Sequence, residues 1–319
     1  MPEASRQGME REFSIDSTNQ MNRLHGYVWM PDRDPEPGLI VLLAHGMVEH
    51  IERYREFAEV LNGHGIGAVG FDCLGHGKSV TSSAQLGYFA AKDGDKCLVN
   101  DLEEVRKMFK KRYPQSRFIL MGHSMGSFVS RDYTVKYGKN IDGLILMGAG
   151  EPGYAAAALG ICLSSLICMV KGSFYRSKFL NNLVIGQYDR YFASEEVKSW
   201  LSTDAEEVKK YEEDKLCGFL FTASAYRDFF RIIKRLSPAK EGEKIPKNLP
   251  ILFVSGEDDP VGNFGKGVRK VSQKYKNAGA KHVSLRLFRG MRHELLHETN
   301  RRIVYDELLE WLDKRVDEA

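Results

Sequence analysis

Residues Leu39–Ala44 read LIVLLA, six apolar side chains in an unbroken run. A strand with one wet face alternates apolar and polar residues, so a short run without alternation needs cover on both faces. Further strands are expected at Leu24–Met30, Ile66–Phe71, Arg117–Met121 and Ile141–Met147. Between them, Tyr54–Asn62 puts Phe57, Val60 and Leu61 on one helical side, and Gly63 and Gly65 end it. Asn100–Arg112 does the same with Leu102, Val105, Met108 and Phe109, and Pro114 stops it. Strands alternating with helices imply an α/β fold with a mostly parallel central sheet and right-handed crossovers. Ligand sites in such sheets lie beyond the carboxyl ends of the strands.

The alternation breaks off at about Glu151 and resumes after Leu236. The block between is helical in pattern, with a partly aromatic face of Phe219, Phe221, Tyr226, Phe229 and Phe230. It reads as an inserted helical cap over residues 151–236, dividing a core into residues 1–150 and 237–319. Strands resume at Pro250–Ser255 and Val283–Phe288, with a helix at Gly267–Asn277 between them and a closing helix at Glu298–Lys314. Within the block, Tyr154–Val170 (YAAAALGICLSSLICMV) is weakly apolar throughout. A spanning helix wants ~20 strongly apolar residues. This run is Ala-rich and interrupted by Gly160, Ser164 and Ser165, so a buried or substrate-facing cap helix is expected instead.

Lys and Arg number 46 and Asp and Glu 43, a net charge of +3 that carries no nucleic-acid footprint. The basic stretch at Arg231, Lys234 and Arg235 reads as a solvated helix face. The cysteines are five, Cys73, Cys97, Cys162, Cys168 and Cys217, an odd number without metal-ligand spacing. Buried free thiols in a reducing compartment fit them, with Cys162 and Cys168 in apolar surroundings. Met1–Glu12 is polar and lacks the apolar core of a secretory signal. These features point to the cytoplasm.

Gly122-His123-Ser124-Met125-Gly126 follows one expected strand and opens a helix. A serine on so sharp a turn needs small neighbours, and its hydroxyl stands clear of the sheet beside a helix N-terminus. Serine is a weak nucleophile unless a base is positioned against it. In strand–turn–helix sites of this kind the order is nucleophile, acid, histidine. Of the later histidines, His282 precedes a strand and so lies at its wrong end, and His297 falls near the start of the last helix. His293, in the loop after the last strand (RGMRHE), is the best placed. The acid should lie in Gly256-Glu257-Asp258-Asp259-Pro260, where spacing cannot choose among three carboxylates. Asp72 precedes the serine and reads as a turn former holding the loop of Gly75 and Gly77. The loop His45-Gly46-Met47-Val48-Glu49-His50 follows LIVLLA and can aim the main-chain N–H of Met47 at a substrate carbonyl; with that of Met125 it makes a two-donor oxyanion pocket.

HGMVEHIERYREFAEVL, FDCLGHGKS, GHSMGS, GEDDPVG and RGMRHELLHE, in that order, resemble the monoacylglycerol lipase and lysophospholipase group of α/β-hydrolases, its bacterial members most closely. The resemblance runs from about Leu24 to Leu312 and is weaker in the cap. It implies Ser124 as nucleophile, Asp259 as acid, His293 as base, and Met47 and Met125 as oxyanion donors. It also implies an acyl-ester substrate cleaved without metal or cofactor, with no nucleic acid as partner. Amide or peptide hydrolysis on the same residues is the alternative, and a non-catalytic small-molecule binding protein a further one. An exposed cap face would make transient membrane-surface contact. The chain departs from the group at Val48, where Gly is frequent, which should narrow the oxyanion loop, and at Cys73 and Leu74, where polar residues are usual. Glu49 either braces its loop or meets a polar head such as glycerol.

Overall fold

The computed structural model describes residues 9–32, 36–151, 153–192, 198–236 and 241–316. Its strands are β1 (Met9–Asp16), β2 (Arg23–Met30), β3 (Leu39–Ala44), β4 (Gly67–Phe71), β5 (Arg117–His123), β6 (Gly143–Met147), β7 (Ile251–Gly256) and β8 (Val283–Phe288). They form one eight-stranded sheet in the order β1-β2-β4-β3-β5-β6-β7-β8. From β4 to β8 every neighbouring pair is parallel, while β2 runs antiparallel to both β4 and β1. The helices are α1 (Arg55–Gly63), α2 (Gly94–Arg112), α3 (Met125–Tyr137), α4 (Tyr154–Lys171), α5 (Lys178–Asn181), α6 (Ala205–Glu213), α7 (Ala223–Leu236), α8 (Glu241–Lys244), α9 (Lys266–Asn277) and α10 (Arg301–Val316).

The unbroken LIVLLA run has the expected cause. Ile40, Leu42 and Ala44 join one apolar layer, together with Val105 and Phe109 of α2 and Phe128 and Val129 of α3. Leu39, Val41 and Leu43 join the opposite layer, with Phe57 and Leu61 of α1 and Val304, Leu308 and Leu312 of α10. Period-two alternation therefore supplies both cores from one strand.

β3 and β8 fall on their expected bounds, and β5 runs two residues further, to His123. β1 has no counterpart in the sequence reading. It is an edge strand whose residues are exposed or half-exposed, and its apolar signal is weak, with only Phe13 and Ile15 packed against the core. α2 starts at Gly94, six residues earlier than its apolar spacing suggests, behind Asp93 in a left-handed conformation. α10 starts later, at Arg301, because Leu295–His297 form a separate 3₁₀ turn.

The chain between β6 and β7 adds no strand to the sheet among the described residues; it carries α4 to α8. α7 packs on α2 and α3, and α4 packs on α7. Of the two alternatives expected for α4, a buried helix or one facing a substrate cavity, it is not the buried one: Ala157, Gly160 and Leu163 line a cavity. Only Ala157, Gly160 and Ser164 are buried in it, and Leu159, Leu166, Met169 and Val170 are exposed, Met169 by 78%. Cys162 is likewise exposed, and all five cysteines are free. Nor is the basic stretch of α7 merely solvated. Arg235 pairs with Asp132 of α3 and Asp95 of α2, and Arg231 with Asp228. A further buried pair, Arg131 of α3 with Glu241 at 2.7 Å, left no sequence signal.

Candidate active site

Ser124 stands between the carboxyl end of β5 and the first turn of α3 with φ 51° and ψ −117°. Such a backbone costs a residue with a side chain of order 1–3 kcal/mol and survives only where the surroundings fix it. They do: Ser124 N–H donates to the Met147 carbonyl at 3.0 Å, and glycines on either side let neighbouring backbone close in. A Cβ on Gly126 would lie 2.1 Å from the Ala44 carbonyl oxygen.

His293 is in the loop after β8 and is buried. Its Nε2 lies 2.8 Å from Ser124 Oγ and its Nδ1 lies 3.0 Å from Asp259 Oδ2. In the tautomer whose Nδ1–H donates to Asp259, Nε2 is free to accept the serine proton. Asp259, fully buried in the loop after β7, also accepts from Val261 N–H at 2.8 Å. Of the three adjacent carboxylates, Glu257 is half-buried and Asp258 exposed, and Asp259 is the one that meets His293. His282 is exposed at the amino end of β8, and His297 bonds to the Arg53 carbonyl through Nε2. Trp200, whose ring centre is 5.2 Å from that of His293, walls the site, a contact sequence reasoning missed.

The loop after β3 brings Met47 to the same place. Met47, Ser124 and Met125 line one cavity. Met125 opens α3, where first-turn N–H groups have no intrahelical acceptor. Met47 N–H has no main-chain acceptor among the described residues. Val48 next to it has φ 53°, a region a β-branched residue rarely enters and a glycine adopts freely. It is held there by its N–H to His76 Nε2 and by its carbonyl, which accepts from Gly218 N–H and Tyr211 Oη–H. Its side chain packs in the core and does not line the cavity. Cys73 and Leu74 are likewise not among the residues that line the cavity. Asp72 is the expected turn former: its carboxylate accepts from Ile51 and Lys78 N–H, both at 2.8 Å.

Glu49 is buried beneath this loop and accepts from Gly46 N–H, Tyr54 Oη–H at 3.0 Å and Arg53 at 2.7 Å. Burial works to raise its pKa, yet the His123 hydrogen bond and the Arg53 charge outweigh burial and hold it well below the usual carboxylate range. An ion so completely used braces its loop. The cavity itself is about 580 Å³ and largely apolar, walled by Phe128 of α3, Gly160 and Leu163 of α4, and Phe229, Phe230 and Ile233 of α7. Phe221 and Tyr226, from the same aromatic stretch, are core instead.

Two side-chain groups that spacing did not suggest have metal-ligand composition: His45, Cys73 and His76, and His50, Asp214 and Cys217. In the first, all four ring nitrogens already meet main-chain groups at Gly46, Cys73, Leu74 and Val48. In the second, His50 Nε2 is engaged by Asp214 Oδ2 at 2.8 Å. Both arrangements tie loops together.

The family profile described as serine aminopeptidase, S33, matches residues 35–300. The chain belongs to this family. A monoacylglycerol lipase of Mycolicibacterium smegmatis is 25% identical over 290 residues, 89% of this chain and 91% of that one. Human monoglyceride lipase is 25% identical over 311 residues, covering 91% and 87%. A thermostable carboxyl esterase from Bacillus coagulans, solved with glycerol, superposes with a TM-score of 0.88 at 25% identity over 96% of this chain and 99% of its own. A monoglyceride lipase from Saccharomyces cerevisiae, at 18% identity and a TM-score of 0.71 over 97% and 96%, shares the fold. The S33 chain is thus an α/β-hydrolase of the monoacylglycerol lipase-like group.

Proposed function

We propose that the protein is a serine carboxylic ester hydrolase that cleaves monoacylglycerols, lysophospholipids or similar acyl esters through an acyl-enzyme on Ser124. The reading is carried by one observation: the 2.8 Å approach of His293 Nε2 to Ser124 Oγ, backed by Asp259, at the end of an apolar cavity of about 580 Å³. Ser124 attacks the ester carbonyl while His293 takes its proton, and Asp259 orients the imidazole and stabilises its charged form. The oxyanion forms against the N–H groups of Met47 and Met125. His293 protonates the departing alcohol, then activates water to release the acid from Ser124.

Residues 151–236 act in this proposal as a cap whose inner face takes the acyl chain. Its outer face exposes Leu166, Met169, Val170, Phe174 and Phe179. Large apolar side chains exposed in number suit an interaction site, and transient contact with a membrane surface would deliver lipid to the cavity. Cytoplasmic residence is part of the same proposal, supported by five free thiols.

The expected outcome of Ser124→Ala is a loss of at least about 10⁴-fold in kcat on 2-nitrophenyl butyrate, together with loss of labelling by a fluorophosphonate probe. An unlabelled wild-type protein would remove the hydrolase reading and leave a small-molecule binder. The family description favours amide hydrolysis as the second reading. Faster turnover of an amino-acid anilide than of the ester would establish it.

A further inference from the structure

The base-bearing loop continues past His293 into a carboxylate that the proposed cycle does not use. Glu294 is 4% exposed and has Leu201 as main-chain acceptor for its N–H at 2.7 Å. Its two oxygens take a two-pronged contact from Arg53, at 2.8 and 2.7 Å. Arg53 precedes α1, more than two hundred residues earlier in the chain, and the same Nη1 also donates to Glu49 Oε2 at 2.7 Å. Glu49 Oε1 receives Gly46 N–H, in the loop that carries Met47, and lies 3.1 Å from His123 Nδ1. His123, which precedes Ser124, closes the ring with Nε2 at 3.3 Å from the His293 carbonyl oxygen. Its two nitrogens thus face a carboxylate and a carbonyl, both acceptors, which the imidazolium alone satisfies together. Burial lowers its pKa, but the Glu49 bond and charge outweigh burial and leave it raised.

We infer that Glu294 is a positioning residue for His293: through Arg53 and Glu49 it locks the base-bearing loop to the oxyanion loop and to the residue before the nucleophile. The inference rests on the hydrolase reading for its kinetic consequence, though not for its geometry. Base, nucleophile and the Met47 donor sit on three separate loops, and among the described residues no main-chain hydrogen bond runs from one of these loops to another. A closed circuit of charge-assisted bonds in a dry layer fixes their separation more firmly than packing alone. Space is part of the device. A Cβ on Gly46 would lie 2.6 Å from Glu49 Oε1 and 3.1 Å from His123 Nδ1, so only glycine lets the loop reach the circuit. His297, 3.6 Å from Glu294 through Nδ1 and bonded to the Arg53 carbonyl through Nε2, holds the pair from the other side.

The test uses the full chain with Glu294→Gln, Arg53→Met and Arg53→Lys. For Glu294→Gln and Arg53→Met the expected result on a short aryl ester is a fall in kcat of about ten- to hundredfold, the scale of a small misplacement of a reacting group. KM should stay within about threefold, because the acyl cavity is untouched. Arg53→Lys, which keeps the charge and loses the fork, should recover part of that loss. In proton NMR, the far-downfield imidazole resonance of the His293–Asp259 bond should broaden or disappear in Glu294→Gln while the melting temperature shows a folded protein. Wild-type kcat and an unchanged downfield resonance in folded Glu294→Gln would overturn the inference. Should that variant fail to fold, Arg53→Met decides: wild-type kcat and resonance in it overturn the inference equally. Failure of the hydrolase reading is read separately, as absent fluorophosphonate labelling of the wild type, and the resonance still reports on positioning in that case.

Discussion

Met47 is a residue whose side chain and main chain carry different weights. Its side chain is one wall element among many in a cavity with several apolar neighbours. Its N–H, in the proposed mechanism, is half of the oxyanion pocket, and losing one such donor costs about 3–4 kcal/mol of transition-state stabilisation, roughly 10²–10³ in kcat. Met47→Ala should therefore leave turnover nearly intact and Met47→Pro should abolish it, both read as kcat on 2-nitrophenyl butyrate. A fully active proline variant would remove Met47 from the pocket. Val48 makes the same point structurally. Its φ of 53° is tolerated because His76, Gly218 and Tyr211 pin both of its main-chain groups. The conformation of this loop is imposed from outside it.

At the scale of elements, α7 is held to α2 and α3 by charge as well as by apolar packing. Asp228 on α7 is buried against Gly94 at the start of α2, where an added Cβ would come within 2.4 Å of its Oδ2. Burial first, and the facing Asp95 second, push its pKa up to about 6, against the pull of Arg231 and Arg227. Arg235, one turn beyond Arg231, meets Asp95 and Asp132. The sign follows from the raised value. The folded state holds this proton more tightly than the unfolded chain, whose carboxyl has a value of 3.8, so the stabilisation is complete below that value and is lost as pH rises through about 6. Asp228→Asn imitates the protonated form. Its melting temperature should match wild type near pH 4 and exceed it by a few degrees at pH 8. A gain independent of pH, or a loss at pH 8, would contradict the assignment.

For the whole molecule, the separation of an inner and an outer face in the proposed cap matters most. Gly160 and Leu163 of α4 turn to the cavity, while Leu166, Met169 and Val170 of the same helix meet solvent. α4 is also long and apolar enough to cross a membrane by length and composition, yet its inner face is committed to α7 and the cavity. That arrangement suits contact with a bilayer surface. The double variant Leu166→Glu, Met169→Glu should cut co-sedimentation with phosphatidylcholine vesicles about tenfold, two apolar anchors being lost and charge added. Turnover of a soluble short ester should not change. Undiminished vesicle binding would place the contact elsewhere.

Period and punctuation, local properties of the chain, determined a good deal here. LIVLLA pointed to a strand covered twice, the strand–helix alternation to a mostly parallel sheet, and GHSMG between β5 and α3 to a strained turn with its hydroxyl raised. Ser124, His293 and Asp72 were legible for that reason. What lay beyond the sequence depends on distance between segments far apart in the chain. Three adjacent carboxylates are equivalent until burial and a 3.0 Å approach to His293 single out Asp259. β1 is an edge strand announced only by Phe13 and Ile15 among polar neighbours, and α4 shows its outer face only once α7 has covered the inner one. The circuit of Glu49, Arg53, His123 and Glu294 draws on three segments, the β3–α1 connection, the end of β5 and the loop after β8, and its members look in sequence like ordinary polar and charged residues. Hydrophobic periodicity is written residue by residue; charge pairing across the core is decided only when tertiary contacts bring the partners together.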